Sequence, residues 1–334
     1  MKVLVLGAAG CLGANLVRAL LADGHEVRAF VRPSPTGRPR PTLAGLDLEL
    51  VEGDLRDEAA VARACRGVRV AYQAGSYYPT ETIPVERAVA AALAATRPLL
   101  KAVREAAVER LVFTSTLTTI GFPPPGSDRL ADEACPFAPR YPDNPYLMAK
   151  AAMEREVLEA AKGGLPAVVV NPTAFFGPYD SRPTGGMQIL LIAKRLMPFY
   201  LDGPINAIAV RDVAVGMIRA AERGRVGERY ILGNWNTTWK ELNRLIARTA
   251  GVMAPLAPVP HALARWGAKL GDWTFRTILR RPAPVPGFFV EMLRHMQQYD
   301  CGKAIRELDY PRRPVEQAIR DALDWFKENG YLPA

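Results

Sequence analysis

Gly7-Ala8-Ala9-Gly10-Cys11-Leu12-Gly13 decides the reading of this chain. It follows Val3-Leu4-Val5-Leu6, an uninterrupted apolar run of the kind a buried parallel strand requires. It leads into Ala14-Asn15-Leu16-Val17-Arg18-Ala19-Leu20-Leu21, whose apolar spacing is that of an amphipathic helix. Closely set glycines between strand and helix let the backbone turn tightly and come near a pyrophosphate. The unpaired N–H groups and positive dipole of the helix start then meet the phosphate charge. The strand–turn–helix context therefore points to a dinucleotide cradle.

Strand and helix patterns alternate outward from this unit. Strands are expected at Glu26–Val31, Leu48–Val51, Val68–Tyr72, Arg110–Thr114 and Ala167–Val170. Helices are expected at Ala59–Cys65, Val85–Ala107 and Pro145–Ala161. Such alternation predicts an α/β protein with a Rossmann-type, doubly wound parallel sheet, its ligands beyond the carboxyl ends of the strands. Past Gly177 the pattern loosens, with further elements at Tyr230–Leu232, Trp239–Ala250 and Pro314–Asn329. The expected organisation is a nucleotide-binding core over 1–170, rejoined by about 206–233. A smaller, discontinuous C-terminal lobe over 171–334 would cover the substrate.

The chain has 334 residues, 49% of them hydrophobic, and 43 Lys and Arg against 34 Asp and Glu. The basic residues are dispersed and no nucleic-acid motif accompanies them, so a small-molecule substrate is expected rather than a nucleic acid. Cys11, Cys65, Cys135 and Cys301 are scattered, without metal-ligand spacing. They predict no metal site and no disulfide framework, and fit a reducing, cytoplasmic compartment. No apolar run reaches the length of a membrane span. His25, His261 and His295 have no ligand-like spacing and are expected to be structural.

Tyr146 and Lys150, four residues apart, share one helix face. An ammonium beside a phenol favours the phenolate, which predicts a lowered tyrosine pKa and an acid–base role. The strand end Thr114-Ser115-Thr116 offers hydroxyls to hold a substrate oxygen alongside Tyr146.

With these residues in place the chain resembles the extended short-chain dehydrogenase/reductase superfamily. The resemblance rests on Gly7, Gly10 and Gly13, Gly53-Asp54-Leu55, the Ser/Thr strand end, Tyr146 with Lys150, and Asn171-Pro172 through Gly177-Pro178. The segments Asn171–Thr173, Gly227–Gly233 and Asp324–Tyr331 are similar to the dihydroflavonol-reductase-like branch, including hopanoid-associated sugar epimerases. The resemblance implies that Thr116 is the catalytic hydroxyl, with Ser115 in its place if the register slips by one. Tyr146 would be the acid–base, and Lys150 would tune it and hold the nicotinamide ribose. Gly7, Gly10, Cys11, Leu12, Gly13, Arg32, Asp54, Leu55, Ala74 and Pro172 would contact the cofactor, Asp54 and Leu55 at the adenine and Pro172 beside the nicotinamide. A homodimer through Val85–Ala107 and Pro145–Ala161 is also implied.

Cofactor choice follows from Phe30-Val31-Arg32. Enzymes that use NAD(H) commonly place a carboxylate after the second strand to meet the ribose hydroxyls, and none stands here. Arg32 suits a 2′-phosphate, which favours NADP(H) over NAD(H), with Arg38 and Arg40 either adding to the field or solvated. The family's later His-Val-Asp-Asp-Val becomes Ala209-Val210-Arg211-Asp212-Val213, where Asp212 reads as a helix N-cap. Arg182 and Arg211 are only loose candidates for a sugar-nucleotide pyrophosphate.

The expected activity is therefore hydride transfer between NADP(H) and an apolar ketone, aldehyde or secondary alcohol. The alternatives are sugar-nucleotide epimerisation or dehydration, and a non-catalytic dinucleotide sensor. Tyr77-Tyr78 with Phe175-Phe176 would wall either an aromatic pocket or a core. His261–Arg281, mixing Trp and Leu with Arg and Lys, reads first as a lobe helix with a solvated basic face. Its alternative is a helix lying on an anionic membrane.

Overall fold

Alternate residues of the first strand face opposite layers, and both layers are dry. Val3 and Val5 join a core that includes Leu16, Leu20 and Met217, while Leu4 and Leu6 join one that includes Leu99, Phe113 and Met153. A strand buried on both faces needs helices on both sides of its sheet. The computed structural model, which describes residues 1–34, 40–75, 83–138, 142–277, 280, 290, 293 and 296–333, has that architecture.

The first half runs β1 (Lys2–Leu6), α1 (Cys11–Ala22), β2 (Glu26–Val31), β3 (Glu49–Glu52), α2 (Glu58–Cys65), β4 (Val70–Gln73), α3 (Val85–Glu105) and β5 (Arg110–Thr114). A 3₁₀ turn at Leu117–Thr119 precedes α4 (Pro145–Lys162) and β6 (Ala167–Pro172). There follow β7 (Ala174–Phe176), α5 (Gly185–Ala193), β8 (Phe199–Tyr200), β9 (Pro204–Ala209) and α6 (Val210–Arg223). The remainder is β10 (Arg229–Leu232), β11 (Trp235–Thr238), α7 (Trp239–Ala250), β12 (Ala257–Pro258), α8 (His261–Thr277), α9 (Gly302–Leu308) and α10 (Val315–Glu328).

Seven parallel strands form the main sheet in the order β10-β6-β5-β4-β1-β2-β3. Strand order reverses between β1 and β4, the place where such sheets open a crevice for a ligand. β10 comes from the second half of the chain and pairs with β6, Leu232 opposite Pro172. The loose second half also builds a three-stranded sheet, β11-β9-β7, over a separate core of Ile205, Leu242, Ile246, Ile319 and Phe326. β7 and β11 are short and mostly polar or aromatic, and their partner β9 lies about thirty residues away in each case, so local pattern does not announce them.

Asp212 is corrected by the structure. The cap of α6 is Ala209, and Asp212 lies in the helix's first turn, fully buried. Its carboxylate accepts from the Arg313 backbone N–H at 2.6 Å and from Arg313 Nη1 at 2.9 Å. It fastens the approach to α10 rather than the start of α6. Phe176 is buried in the lobe core and Phe175 packs against the main core; Tyr77 and Tyr78 lie outside the described residues. His261 Nε2 lies 3.1 Å from the Asp202 carbonyl, and His295 is outside the described residues.

Candidate active site

The glycine loop is a cradle held by backbone contacts that no side chain could share. Gly7 has φ +79°, and a Cβ there would lie 2.4 Å from Gly75 Cα. A Cβ on Gly13 would lie 2.2 Å from the Gly7 carbonyl oxygen. Gly10 differs: the nearest atom to an added Cβ is 3.4 Å away, so this residue borders open space. It is the N-cap of α1, no side chain caps it, and the first turn carries no acid. The open donors of that turn, Cys11, Leu12 and Gly13, and the helix dipole fit a pyrophosphate. The Cys11 thiol lies 3.5 Å from the Pro178 carbonyl, and burial with Asp180 nearby pushes its pKa up, so it is a neutral donor. Asn15 Nδ2 donates to the same carbonyl at 3.0 Å, tying α1 to the loop after β7. Gly75 is a contact that sequence reasoning missed, although a glycine two residues past the end of β4 was its signal. The Ala74 and Gly75 N–H groups both donate to the Leu6 carbonyl, bringing the ends of β1 and β4 together.

At the far end of the cradle Arg32 is exposed after β2. Arg40 is less available than its sequence position suggests. It donates to the Arg32 carbonyl and is ion-paired with Glu52. Arg38 lies outside the described residues. Arg56 grips both oxygens of Asp54 at 2.9 and 2.8 Å, and with Arg32 nearby this holds the Asp54 carboxyl down at about 2. Leu55 follows, half-buried.

At the other end α4 carries the phenol. Asn144 caps this helix by accepting from the Tyr146 and Leu147 N–H groups, which fixes the helix start one residue before the tyrosine. The Tyr146 hydroxyl donates to Thr116 Oγ1 at 3.5 Å, and Lys150 Nζ lies 5.8 Å from the centroid of the Tyr146 ring. Ser115 turns elsewhere, its Oγ 3.3 Å from Thr119 Oγ1. The structure thus places Thr116, not Ser115, against the phenol. Pro172 ends β6 and is buried.

The electrostatics differ from the sequence expectation. Tyr146 is 7% exposed and Lys150 8%. Burial raises the phenol pKa, against the smaller opposing effect of its threonine hydrogen bonds, and lowers the lysine to about 8. Desolvation dominates both shifts, because each charged form is taken out of water. At neutral pH the phenol keeps its proton, which is the form an acid needs when a carbonyl is reduced.

A buried polar group beneath these residues escaped sequence reasoning. Glu154, 3% exposed, accepts from Thr119 Oγ1 at 2.6 Å, Asn171 Nδ2 at 2.7 Å and Arg229 Nη1 at 2.9 Å. Asn171 Nδ2 also donates to the Thr116 carbonyl at 3.1 Å. Arg229 Nη2 donates to the carbonyls of Glu133 and Cys135. The signal was present in the spacing, since Glu154 follows Lys150 by four residues and Tyr146 by eight.

Among the described residues no group of His, Cys, Asp or Glu could hold a metal, and the four cysteines are free. No described helix is long and apolar enough to cross a membrane.

Residues 3–233 match the model of the NAD dependent epimerase/dehydratase family. A putative dihydroflavonol 4-reductase of Synechocystis is 34% identical over 98% of this chain and 95% of its own length. Sterol demethylase protein B of Methylococcus capsulatus is 32% identical over 99% of this chain and 100% of its own. The crystal structure of a nucleoside-diphosphate-sugar epimerase from Pseudomonas aeruginosa superposes with a TM-score of 0.82 at 30% identity, covering 99% of both chains. With a Rossmann-type sheet, a glycine cradle and a Tyr/Lys helix face, the chain belongs to the NAD-dependent epimerase/dehydratase family, within the extended short-chain dehydrogenase/reductases, and is an enzyme of that class.

Proposed function

We propose that this enzyme is an NADP(H)-dependent oxidoreductase that interconverts an apolar ketone or aldehyde and the corresponding alcohol. The observation that carries the reading is the buried Tyr146 hydroxyl directed at Thr116 Oγ1, with Lys150 on the same helix face. The nicotinamide, when bound, supplies or accepts the hydride. Thr116 and Tyr146 hold the substrate oxygen between their hydroxyls, and Tyr146 gives it a proton in reduction or takes one in oxidation. The Lys150 ammonium, charged below about pH 8, stabilises the phenolate formed when that proton leaves. The dinucleotide is assigned to the crevice at the carboxyl ends of β1 and β4, with Gly7, Gly10, Cys11, Leu12 and Gly13 at the pyrophosphate, Asp54 and Leu55 at the adenine, and Ala74 and Pro172 nearer the nicotinamide.

Two features support the finer choices. Arg32 is exposed where a 2′-phosphate would sit, and Asp54 is neutralised by Arg56, which supports NADP(H). Arg182, one of the two candidates for a sugar-nucleotide pyrophosphate, is exposed, and Arg211, the other, is already engaged by Asp321 at 3.0 Å. That engagement supports an apolar carbonyl substrate over a sugar nucleotide. The reductase and sterol-related names of two relatives agree with it. A homodimer through the exposed sides of α3 and α4, in a cytoplasmic setting, completes the proposal. Sedimentation velocity tests the dimer.

The deciding experiment is a panel of ketones, aldehydes and alcohols, steroid and terpenoid compounds included, followed by NADPH and NADH absorbance side by side. Net oxidation of NADPH by an apolar carbonyl, lost in Tyr146→Phe, is the expected result. Tightly retained cofactor with no net absorbance change on a sugar nucleotide, while its epimer accumulates, would replace this reading with epimerisation. Cofactor binding with no turnover of any panel member would replace it with a sensor.

A further inference from the structure

Helix α8 is assembled inside out. Leu263, Trp266, Leu270 and Trp273 are between 58% and 72% exposed, a degree of exposure unusual for four large apolar side chains on one short helix. Their spacing of three, four and three residues places them within an arc of about 80° on a helix that advances about 100° per residue. Ala264, Ala268 and Gly271, on the opposite side, are partly covered, as are His261 and, beside the stripe, Thr274. The small residues thus meet the body of the protein, and the tryptophans and leucines meet the surroundings. Among the described residues nothing covers that apolar face.

Two further exposed apolar side chains lie on the segments that lead into the helix. Phe199 is 54% exposed and Leu256 75%. The two are neighbours, because Ala257 pairs with Phe199 and the Leu256 N–H donates to the Pro198 carbonyl at 2.8 Å. The patch is anchored rather than loosely attached: Val259 N–H donates to the Tyr200 carbonyl at 2.7 Å, and His261, the first residue of α8, is hydrogen-bonded to the Asp202 carbonyl.

Charge identifies the occupant. Arg265 and Lys269 are exposed along one flank of the stripe, at about 200° and 240° on the same helical wheel. Lys194 and Arg195, also exposed, lie directly before Leu196 and Phe199 at the other end of the patch. From 251 to 281 the sequence has five Lys or Arg and a single acid, Asp272. Tryptophans and leucines on one side with cations along the edge form the pattern of a helix lying in the plane of a bilayer. There the rings sit at headgroup level, and long basic side chains reach back to lipid phosphates. A buried interface between two protein chains is depleted of charge at its core and carries no need for one-sided positive charge.

We propose that α8, with the adjoining Phe199–Leu256 edge, docks this enzyme peripherally on an anionic lipid bilayer. The attachment is reversible, with apolar side chains entering the interface and Arg265 and Lys269 pairing with acidic headgroups. It is independent of the reading of the active site, since vesicle binding is measured without turnover.

The test is cosedimentation of the full chain with vesicles of phosphatidylcholine alone or with about one-third phosphatidylglycerol. The expected result is at least about tenfold more bound protein on the anionic vesicles, falling with salt. Brominated lipid should quench wild-type tryptophan fluorescence. Trp266→Glu/Leu270→Glu should abolish binding while thermal midpoint and NADPH binding stay unchanged. Arg265→Glu/Lys269→Glu should remove the preference for anionic vesicles. Wild-type protein that neither sediments with vesicles nor is quenched overturns the proposal, and this needs no variant to fold. So does a double variant that keeps binding, or one whose sole effect is to turn a dimer into a monomer, which would assign the patch to a second copy of this chain.

Discussion

Replacing Lys150 with Met should stabilise the cofactor-free protein while ending its activity. Lys150 is 8% exposed, and burial lowers its ammonium from the ordinary 10.5 to about 8. At about 1.4 kcal/mol for each tenfold change, that fall is a cost to the folded state of about 3 kcal/mol. The sign fixes the pH window. The folded-state pKa lies below the unfolded one, so the unfolded chain binds more protons between them and stability rises with pH across that interval. The cost is fully present below about pH 8 and is relieved as pH climbs toward 10.5. Met keeps most of the apolar stem and carries no charge, so it removes the desolvation term with little change in volume. Urea unfolding of both proteins at about pH 7 should show Lys150→Met ahead by up to about 3 kcal/mol, and the gap should shrink below about 1 kcal/mol near pH 10. Comparing the two proteins at each pH cancels every other titrating group. A variant less stable than wild type at neutral pH, by an amount that does not change toward pH 10, would refute the reasoning. It would mean that Lys150 holds the fold by contacts rather than straining it by burial.

Further expectations follow from the same geometry. Tyr146→Phe should lower kcat by roughly 10²–10⁴-fold with cofactor affinity unchanged, as equilibrium fluorescence of bound NADPH would show; turnover near wild type would exclude the proposed acid–base. Arg32→Asp should weaken NADPH by about tenfold or more and improve NADH, read as the ratio of kcat/KM for the two cofactors, and an unmoved ratio would sink the 2′-phosphate assignment. Gly13→Ala would put a Cβ 2.2 Å from the Gly7 carbonyl oxygen, so pyrophosphate binding should be lost by titration calorimetry even where the sheet still folds; retained NADPH affinity would contradict the cradle. Glu154→Leu leaves the Arg229 guanidinium, its side chain 15% exposed, without its carboxylate, and should cost about 3–5 kcal/mol in chemical unfolding. A loss below about 1 kcal/mol would show that the carbonyls of Glu133 and Cys135 suffice for Arg229.

Most of the main sheet was legible because its central strands are local apolar runs, although β3, Glu49-Leu50-Val51-Glu52, is not. β2, β5 and α7 occupy the residues expected, and α3 and α4 differ from expectation by one or two residues at one end. α1 begins three residues earlier than its apolar pattern, inside the glycine loop, because Gly13 is helical for want of a Cβ and not for any periodicity. What failed to show was set at long range. Asp212 stands near a helix start and has the residue type of a cap, yet its partner Arg313 is 101 positions away. Arg40 looked like a free cation beside Arg32, and Glu52 on β3 had already taken it. The pKa expectation for Tyr146 failed in a more instructive way. Sequence displays the neighbouring lysine but not the absence of water, and desolvation acts on both members of the pair at once.

Tyr146, Lys150 and Glu154 recur every four residues on α4, and only the first two face the proposed chemistry. Glu154 explains how they are held there. A helix packed by apolar contacts alone tolerates small rotations, since leucines and methionines have no directional bonds. Rotation about the α4 axis by a single residue would swing the phenol by about 100°, away from Thr116. Glu154 resists this because its carboxylate is fixed by three donors from three elements: Thr119 after β5, Asn171 in β6 and Arg229 in β10. Asn171 extends the same constraint to the peptide of Thr116, so the two hydroxyls proposed to hold a substrate oxygen are registered against one buried anion. Well-packed apolar residues in place of both Glu154 and Arg229 would often be as stable as such an ion pair, or more so. What apolar packing lacks is direction. The ionic anchor is therefore best understood as setting the angular register of α4, and β10, drawn from the second half of the chain to the sheet edge, is the element that supplies its positive charge.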